Sequence, residues 1–207
     1  AIETDGENII RSLGQLYVPY DEEARGLLQA ALEAAQNAKA SDWGSSDTWP
    51  EPVRHADLLV SEAHIGAIAR FRAKHDVAFT LVGFHGQTVL HQPEAGITVQ
   101  IGDPQLLARA TDCAVVGQFR LADIANGGQG APLAPLFHAA RAKSQSGSLG
   151  VLNIGGVANI TLLDEGGKIC AFDTGPGNAL LDDWVSTKTG RPYDADGALA
   201  RNGRVNE

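Results

Sequence analysis

The chain has 207 residues, of which 43% are hydrophobic and 20% charged, so it is long enough to form one or two hydrophobic cores. Its formal net charge of -9 argues against nucleic acid as a partner, because such binding depends on Lys and Arg contacts to phosphates. It contains no apolar run of about 18 residues and no signal-peptide pattern, so we expect a cytoplasmic protein without a membrane span.

The first half is predicted to begin with a hairpin and two helices. The hairpin covers Ala1 to Val18 and turns at Asp5-Gly6, a pair suited to a type I′ turn. Because its opening strand is short, we expect that strand to begin further upstream. Apolar residues at helical spacing predict helices from Asp21 to about Ala40 and from Pro52 to about His75.

Three predicted strands follow, and each ends in a polar or glycine-containing segment. Asp103 is predicted to cap a helix after the second of these strands. A further helix is expected from Leu133 to about Arg141. The strands and the segments that follow them are Val77 to Gly83 before Phe84-His85-Gly86-Gln87-Thr88, Ile97 to Ile101 before Gly102-Asp103-Pro104, and Ala114 to Gly117 before Gln118 to Asp123.

A polar linker from Lys143 to Gly147 predicts a boundary between domains 1–147 and 148–207. The second domain is expected to contain three strands, a glycine-rich loop and a helix carrying Leu180 and Trp184, and to be incomplete. Cys113 and Cys170 each lie in an apolar run typical of a buried strand. We therefore expect two reduced core cysteines and no disulfide.

Two glycine-rich segments in the second domain are candidate phosphate sites. Gly155-Gly156, flanked by Asn153 and Asn159, lies between two strands and could present successive N–H groups to phosphate, or form an ordinary glycine hairpin. The segment from Asp173 to Asn178 follows the last predicted strand, where α/β proteins place ligands. Alternatively, Asp173 only caps the following helix.

Two polar groups in the first domain are candidate substrate sites. Arg120 and Asp123 precede a glycine-rich loop and suit a general base beside an anionic substrate group, although such pairs are often surface salt bridges. His85, Gln87 and Thr88 offer donors and acceptors for a hydroxyl-rich ligand, or only satisfy loop backbone groups. The histidine spacing does not favour a zinc site.

Six motifs resemble those of the anhydro-N-acetylmuramic acid kinase family, in order and in spacing, from Ala1 to about Gly203. The motifs are Gly86-Gln87-Thr88, Gln100-Ile101-Gly102-Asp103-Pro104, Phe119-Arg120 to Asp123, Gly127-Gly128-Gln129-Gly130-Ala131-Pro132-Leu133, Leu152-Asn153-Ile154-Gly155-Gly156, and Phe172-Asp173-Thr174-Gly175-Pro176-Gly177-Asn178.

This resemblance implies a ribonuclease-H-like, actin-like α/β fold with two lobes, truncated at both ends. Residues 1–147 would form the sugar-side lobe without its first strand and phosphate loop, and residues 148–207 the start of the nucleotide lobe. The implied ligands are ATP, Mg²⁺ and a recycled cell-wall sugar. In the family's reaction, water opens the 1,6-anhydro bridge at C1 and the released O6 takes the γ-phosphoryl group.

The resemblance also implies a role for each candidate residue. Asp123 would be the general base. The sugar-side residues would be His85, Gln87, Thr88, Arg120 and Gln129. The phosphate-binding and nucleotide-binding residues would be Asn153, Gly155, Gly156, Asn159, Asp173, Gly175 and Gly177, with Mg²⁺ near Asp173.

The chain departs from the family pattern at Gln118, where the family usually has an acidic residue. The family's first phosphate loop would precede Ala1, and part of its adenosine-binding lobe would follow Glu207. We therefore expect this polypeptide alone to be inactive. A non-catalytic sugar-binding module and another actin-like sugar kinase remain alternatives, and a homodimer is left open.

Overall fold

The computed structural model describes residues 1–205, which form two compact units, Ala1–Ala131 and the residues from Pro132 onward. The division precedes the helix α5 (Ala134–Ala142), whereas the sequence analysis places a boundary near residue 147. α5 belongs to the second unit because it packs against two strands of that unit. Each unit is described separately below.

The first unit opens with the predicted hairpin, formed by antiparallel strands β1 (Ile2–Thr4) and β2 (Ile9–Ser12), although β2 ends at Ser12 and not near Val18 as predicted. The predicted type I′ turn is wrong, because Asp5 organises a longer loop by accepting the backbone N–H groups of Glu7 and Asn8. Hydrogen bonds from the side chain and backbone of Asn8, and then from Glu7, lower the pKa of Asp5 to about 2.

Two long helices lie where the apolar spacing predicts them. α1 (Glu22–Asn37) begins after Asp21, whose carboxylate accepts the N–H of Ala24 at 2.8 Å. α2 (Glu51–Lys74) begins with Pro52 in its first turn and packs against α1. Their facing sides form most of the core, which includes the fully buried residues Ala31, Val53, Ala56, Val60, Ile101 and Leu107.

Two small sheets complete the core of the first unit. Strands β3 (Leu81–Phe84) and β6 (Ala114–Gly117) pair in parallel. β6 has the predicted bounds, whereas β3 begins four residues later than the predicted start at Val77 and includes Phe84. Strands β4 (Gln87–Gln92) and β5 (Ile97–Ile101) form an antiparallel hairpin. The sequence analysis assigned the start of β4 to a loop, which is wrong, because pairing with β5 holds these polar residues in an extended conformation.

The connections after these strands carry the candidate residues. α3 (Pro104–Thr111) is capped by Asp103 as predicted, with a 2.7 Å bond from the N–H of Gln105. α4 (Phe119–Ala125), which the sequence analysis did not predict, follows β6 directly. It packs beside β5, so its side chains lie near the ends of β3 and β5.

The second unit contains a three-stranded antiparallel sheet in the order β7 (Leu149–Ile154), β8 (Val157–Leu163) and β9 (Ile169–Pro176). α5 covers one face, where His138 Nδ1 lies 2.9 Å from the hydroxyl of Thr161. α6 (Ala179–Thr189) and α7 (Ala198–Asn202) follow β9.

The opposite face of this sheet exposes the apolar residues Leu152, Ile154, Leu162 and Phe172. Cys170, opposite Leu162, is also exposed, so the prediction that it is a buried core residue is wrong. Cys113 is half-buried, and both cysteines are free thiols. Within residues 1–205, no helix is long and apolar enough to cross a membrane.

Candidate functional site

The glycine-rich loop after α4 is closed against that helix by Asp123. One carboxylate oxygen of Asp123 accepts the N–H of Gly130 at 2.7 Å, and its backbone carbonyl accepts the N–H of Gly128 at 2.8 Å. A Cβ on Gly128 would overlap the Asp123 carboxylate, although Gly128 has an ordinary φ. Glycine is therefore required at this position for space.

Arg120 joins the same loop to the turn after β3. Its guanidinium donates to the carbonyl of Gly130 at 2.7 Å and to Nε2 of His85 at 2.9 Å. Because Arg has no acceptor, His85 Nε2 must accept, and Nδ1–H then donates to the carbonyl of Gly86 at 2.9 Å. The neutral tautomer of His85 follows from these two contacts.

The predicted alternative of an Arg120–Asp123 surface salt bridge is wrong. Among residues 1–205, the ion pairs do not join these two side chains, which both bind the backbone of Gly130 instead. Arg120 is partly buried, and its Nε–H is buried with no hydrogen-bond partner within the described part of the chain. A ligand atom that accepts a hydrogen bond from this Nε–H would satisfy a buried donor that otherwise destabilises the fold.

The remaining sugar-side candidates lie on or beside β4. Gln87 begins the strand and donates to the carbonyl of Thr88 at 3.3 Å, while Thr88 lies opposite Gln100 of β5. Gln100 Nε2 lies 3.4 Å from the hydroxyl of Thr88 and 2.7 Å from that of Thr98. Gln129 is exposed in the loop after α4. The structure thus brings His85, Gln87, Thr88 and Arg120 around one group of strand ends, and Gln129 lies in the adjoining loop.

Sequence reasoning did not select Gln100 as a site residue, although it lies within a recognised motif. The residue is 3% exposed, and its Oε1 is buried with no hydrogen-bond partner in the described chain. Its position could have been found from the alternation of β5, because Thr98 and Gln100 interrupt an otherwise apolar strand. A polar pair at such positions indicates a polar cluster inside the unit.

In the second unit, a polar row crosses the sheet. Asn153 of β7 lies opposite Asn159 of β8, which in turn lies opposite Asp173 of β9. An irregularity between Ala158 and Asn159 sets this register. The predicted loop beginning at Asp173 is wrong in part, because β9 continues to Pro176. The alternative that Asp173 caps α6 is also wrong, because Asn178 occupies the N-cap position.

The two glycine-rich segments of the second unit pack against each other. The N–H groups of Gly177, Asn178 and Ala179 donate to the carbonyls of Gly155 and Gly156, and Gly155 N–H donates to Val157. A Cβ on Gly177 would overlap the carbonyl of Gly155. The expectation that Gly155 presents a free N–H is therefore corrected, because Val157 already uses it.

The donor set of this row fits a magnesium–phosphate ligand. Asp173 is an exposed carboxylate, and Asn153 and Asn159 add carboxamide groups that donate or accept hydrogen bonds. Oxygen ligands from one carboxylate suit Mg²⁺, which reaches kinase sites together with its phosphates. Gly175, with φ of 135°, lies next to this row. Within residues 1–205, no cluster of three His, Cys, Asp or Glu side chains could hold a metal alone.

Comparison with known proteins agrees with the motifs. A family model described as "Anhydro-N-acetylmuramic acid kinase" matches residues 1–207. A curated protein of that name from Rhodopseudomonas palustris (strain BisB18) is 48% identical over 212 residues, covering 100% of this chain and 56% of the relative. One from Acidiphilium cryptum (strain JF-5) is 48% identical over 206 residues, covering 100% and 54%.

The chain therefore spans about half the length of the curated relatives that it matches. The similarity nevertheless extends along the whole of this chain, across both compact units. On this evidence the chain belongs to the anhydro-N-acetylmuramic acid kinase family.

Proposed function

We propose that this chain is part of an ATP-dependent kinase that opens the 1,6-anhydro bridge of anhydro-N-acetylmuramic acid and phosphorylates O6. The observation that carries the proposal is the Asp123 carboxylate, one oxygen of which is held by Gly130, in a chain that is 48% identical to kinases of that name. The compound would be a recycled cell-wall sugar, and an enzyme that uses ATP on it would act in the cytoplasm.

Asp123 is proposed to act as the general base. Its Oδ2 is held by the N–H of Gly130, so the other carboxylate oxygen, Oδ1, can accept a proton from water. That water attacks C1 and the C1–O6 bond breaks. O6 then takes the γ-phosphoryl group from ATP and ADP leaves, so one water is added, one phosphoryl group is transferred, and the proton taken by Asp123 is released to solvent.

Arg120 is proposed to bind and orient the sugar together with His85, Gln87, Thr88 and Gln129. Its buried Nε–H lacks an acceptor, and its two terminal nitrogens are fixed by Gly130 and His85. A guanidinium held in this way is preorganised for an oxygen acceptor of the ligand. Thr88 and Gln87 add a hydroxyl and a carboxamide on the adjacent strand.

The second unit is proposed to bind ATP with Mg²⁺. Asn153, Asn159 and Asp173 would hold the phosphates and the metal, beside the interlocked turns of Gly155, Gly156 and Gly177. Bound Mg²⁺ would neutralise charge on the transferred phosphoryl group. The two units would accordingly be the sugar-side and nucleotide-side parts of an actin-like, two-lobed fold.

The proposal is tested by binding and by product formation. Calorimetry should detect anhydro-N-acetylmuramic acid binding to this chain, and mass spectrometry should detect a 6-phosphorylated sugar from a form extended to the relatives' length with ATP and Mg²⁺. N-acetylmuramic acid and N-acetylglucosamine are the control substrates, and faster phosphorylation of either would favour another sugar kinase. Sugar binding without ATP binding in both forms would favour a non-catalytic module.

A further inference from the structure

Gln118 adopts a backbone conformation that glutamine rarely adopts. Its φ of 57° and ψ of 39° are left-handed, at the point between β6 and α4. The other non-glycine residues with positive φ among residues 1–205 are Asp112 and Asp196, and aspartate tolerates this region better. A strained residue persists only where its surroundings hold it, and such residues cluster at functional sites.

The side chain of Gln118 is tied to the neighbouring hairpin. Its Nε2 donates to the backbone carbonyl of Gln100 at 3.3 Å. Gln100 is buried in β5, and its own side chain donates toward Thr88 at 3.4 Å. The start of α4 is therefore connected through Gln100 to one of the residues proposed to bind the sugar.

The direction of α4 determines where Arg120 and Asp123 lie. α4 is a seven-residue helix that starts at Phe119, immediately after Gln118. Asp123 is four residues into this helix, roughly 6 Å along its axis, so a rotation of about 10° at Gln118 would move it by about 1 Å. A displacement of that size is enough to weaken a positioned catalytic or binding group.

From this geometry we infer that Gln118 is a positioning residue for the sugar-side site, acting through Arg120 and Asp123. The inference rests on the proposed function. The strained turn points α4 toward the ends of β3 and β5, and the hydrogen bond from the Gln118 side chain to the carbonyl of Gln100 keeps it there. Gln118 itself need not touch the sugar.

Two substitutions separate positioning from simple stabilisation. Gln118→Gly removes the hydrogen bond to Gln100 but relieves the strain of the positive φ, so the melting temperature should stay equal or rise. Gln118→Met keeps the strain and loses the bond, so the melting temperature should fall. Both variants should raise the Kd for anhydro-N-acetylmuramic acid about fivefold, the effect expected if the displaced α4 costs the sugar one hydrogen bond.

Asp112→Gly is the matched control, because Asp112 is also left-handed but ends α3 away from the site. It should raise the melting temperature without changing the Kd. The inference is wrong if Gln118→Gly binds the sugar as tightly as the wild type. It is also wrong if, across the three variants, the Kd rises only where the melting temperature falls.

Hydrogen exchange gives a second readout that needs no ligand. The N–H of Gly130 is bonded to Asp123, so its exchange should be faster in Gln118→Gly if α4 has moved. Unchanged exchange at Gly130 would also overturn the inference. If the wild-type chain does not bind the sugar, the proposed function is wrong, but the exchange of Gly130 still decides whether Gln118 positions Asp123.

Discussion

The carboxylate of Asp123 accepts the backbone N–H of Gly130 at 2.7 Å, across a glycine-rich loop. The carbonyl of Gly130 is held by Arg120 at 2.7 Å, so the two side chains bind the two backbone groups of one residue. Gly130 has a φ of 67° and is buried, and a Cβ there would lie 3.1 Å from that of Arg120. The loop and the candidate base are thus joined through both backbone groups of Gly130.

Asp123→Asn is expected to remove turnover and to leave sugar binding nearly unchanged. The carboxamide oxygen can still accept the N–H of Gly130, but the group cannot take a proton from water. The rate should fall roughly 100-fold or more, as for other lost general bases. The measurement is product formation by the form extended to the relatives' length, beside the Kd for the sugar.

Asp123→Ala is the companion variant. It removes the acceptor of the Gly130 N–H as well as the base, so it should weaken sugar binding in addition to turnover. Near-normal turnover by a correctly folded Asp123→Asn variant would exclude Asp123 as the base. Equal Kd values for the Ala variant and the wild type would exclude a role of the loop in binding.

Gly128→Ala should weaken sugar binding because its methyl group has no room beside Asp123. A Cβ on residue 128 would lie 2.5 Å from the carboxylate carbon of Asp123, and the φ of Gly128 adds no strain of its own. Gly66→Ala is the control, since that glycine lies in α2 with open space around it and should gain helix propensity. Calorimetry should show a raised Kd for Gly128→Ala alone, and unchanged binding would contradict the packing argument.

The sequence allowed the long helices to be predicted because their apolar stripes are local. β4 and α4 were not predicted, since their residues take these conformations through contacts with neighbouring segments rather than through their own sequence pattern. Polar Gln87 and Thr88 are extended because β5 pairs with them. α4 has seven residues, and the return of Gly130 onto Asp123 closes its last turn.

The polar row of the second unit illustrates a similar limit. Its three residues were each selected from the sequence, but their alignment depends on the strand register. The irregularity beside Asn159 shifts one strand by a residue, and such a shift decides which side chains share a face. Nor could the sequence indicate that the N–H of Gly155 is used by Val157, two residues along the chain.

Gly177→Ala is expected to weaken ATP binding more than sugar binding. Its methyl group would overlap the carbonyl of Gly155 and separate the two turns that adjoin the polar row. Gly150→Ala is the matched control, because Gly150 lies in β7 outside the two turns and a Cβ there would meet Leu162 at an ordinary 3.7 Å. ATP and sugar titrations of both variants test this, and equal losses of both ligands would indicate a folding defect instead.

The ionisation of Asp57 should make the stability of the fold depend on pH. Asp57 lies in α2 and accepts the N–H of Gly102 at 2.6 Å. Burial raises the pKa of this carboxyl, and the nearby charge of Asp103 raises it further, while the Gly102 bond lowers it. Between the ordinary value of 3.8 and the raised value, the folded state holds more protons than the unfolded state. The free energy of unfolding therefore decreases as pH rises through this window.

Asp57→Asn should abolish this decrease in the free energy of unfolding, because the carboxamide keeps an oxygen that accepts the N–H of Gly102 but carries no charge. The variant should be more stable than the wild type at about pH 7, and the difference should shrink as the pH falls through the raised pKa of Asp57 toward the ordinary value of 3.8. Urea unfolding across that range measures it, with Asp57→Ala as the control that loses the acceptor and stability at every pH. A difference between Asn and wild type that is independent of pH would show that the charge of Asp57 does not weaken the fold.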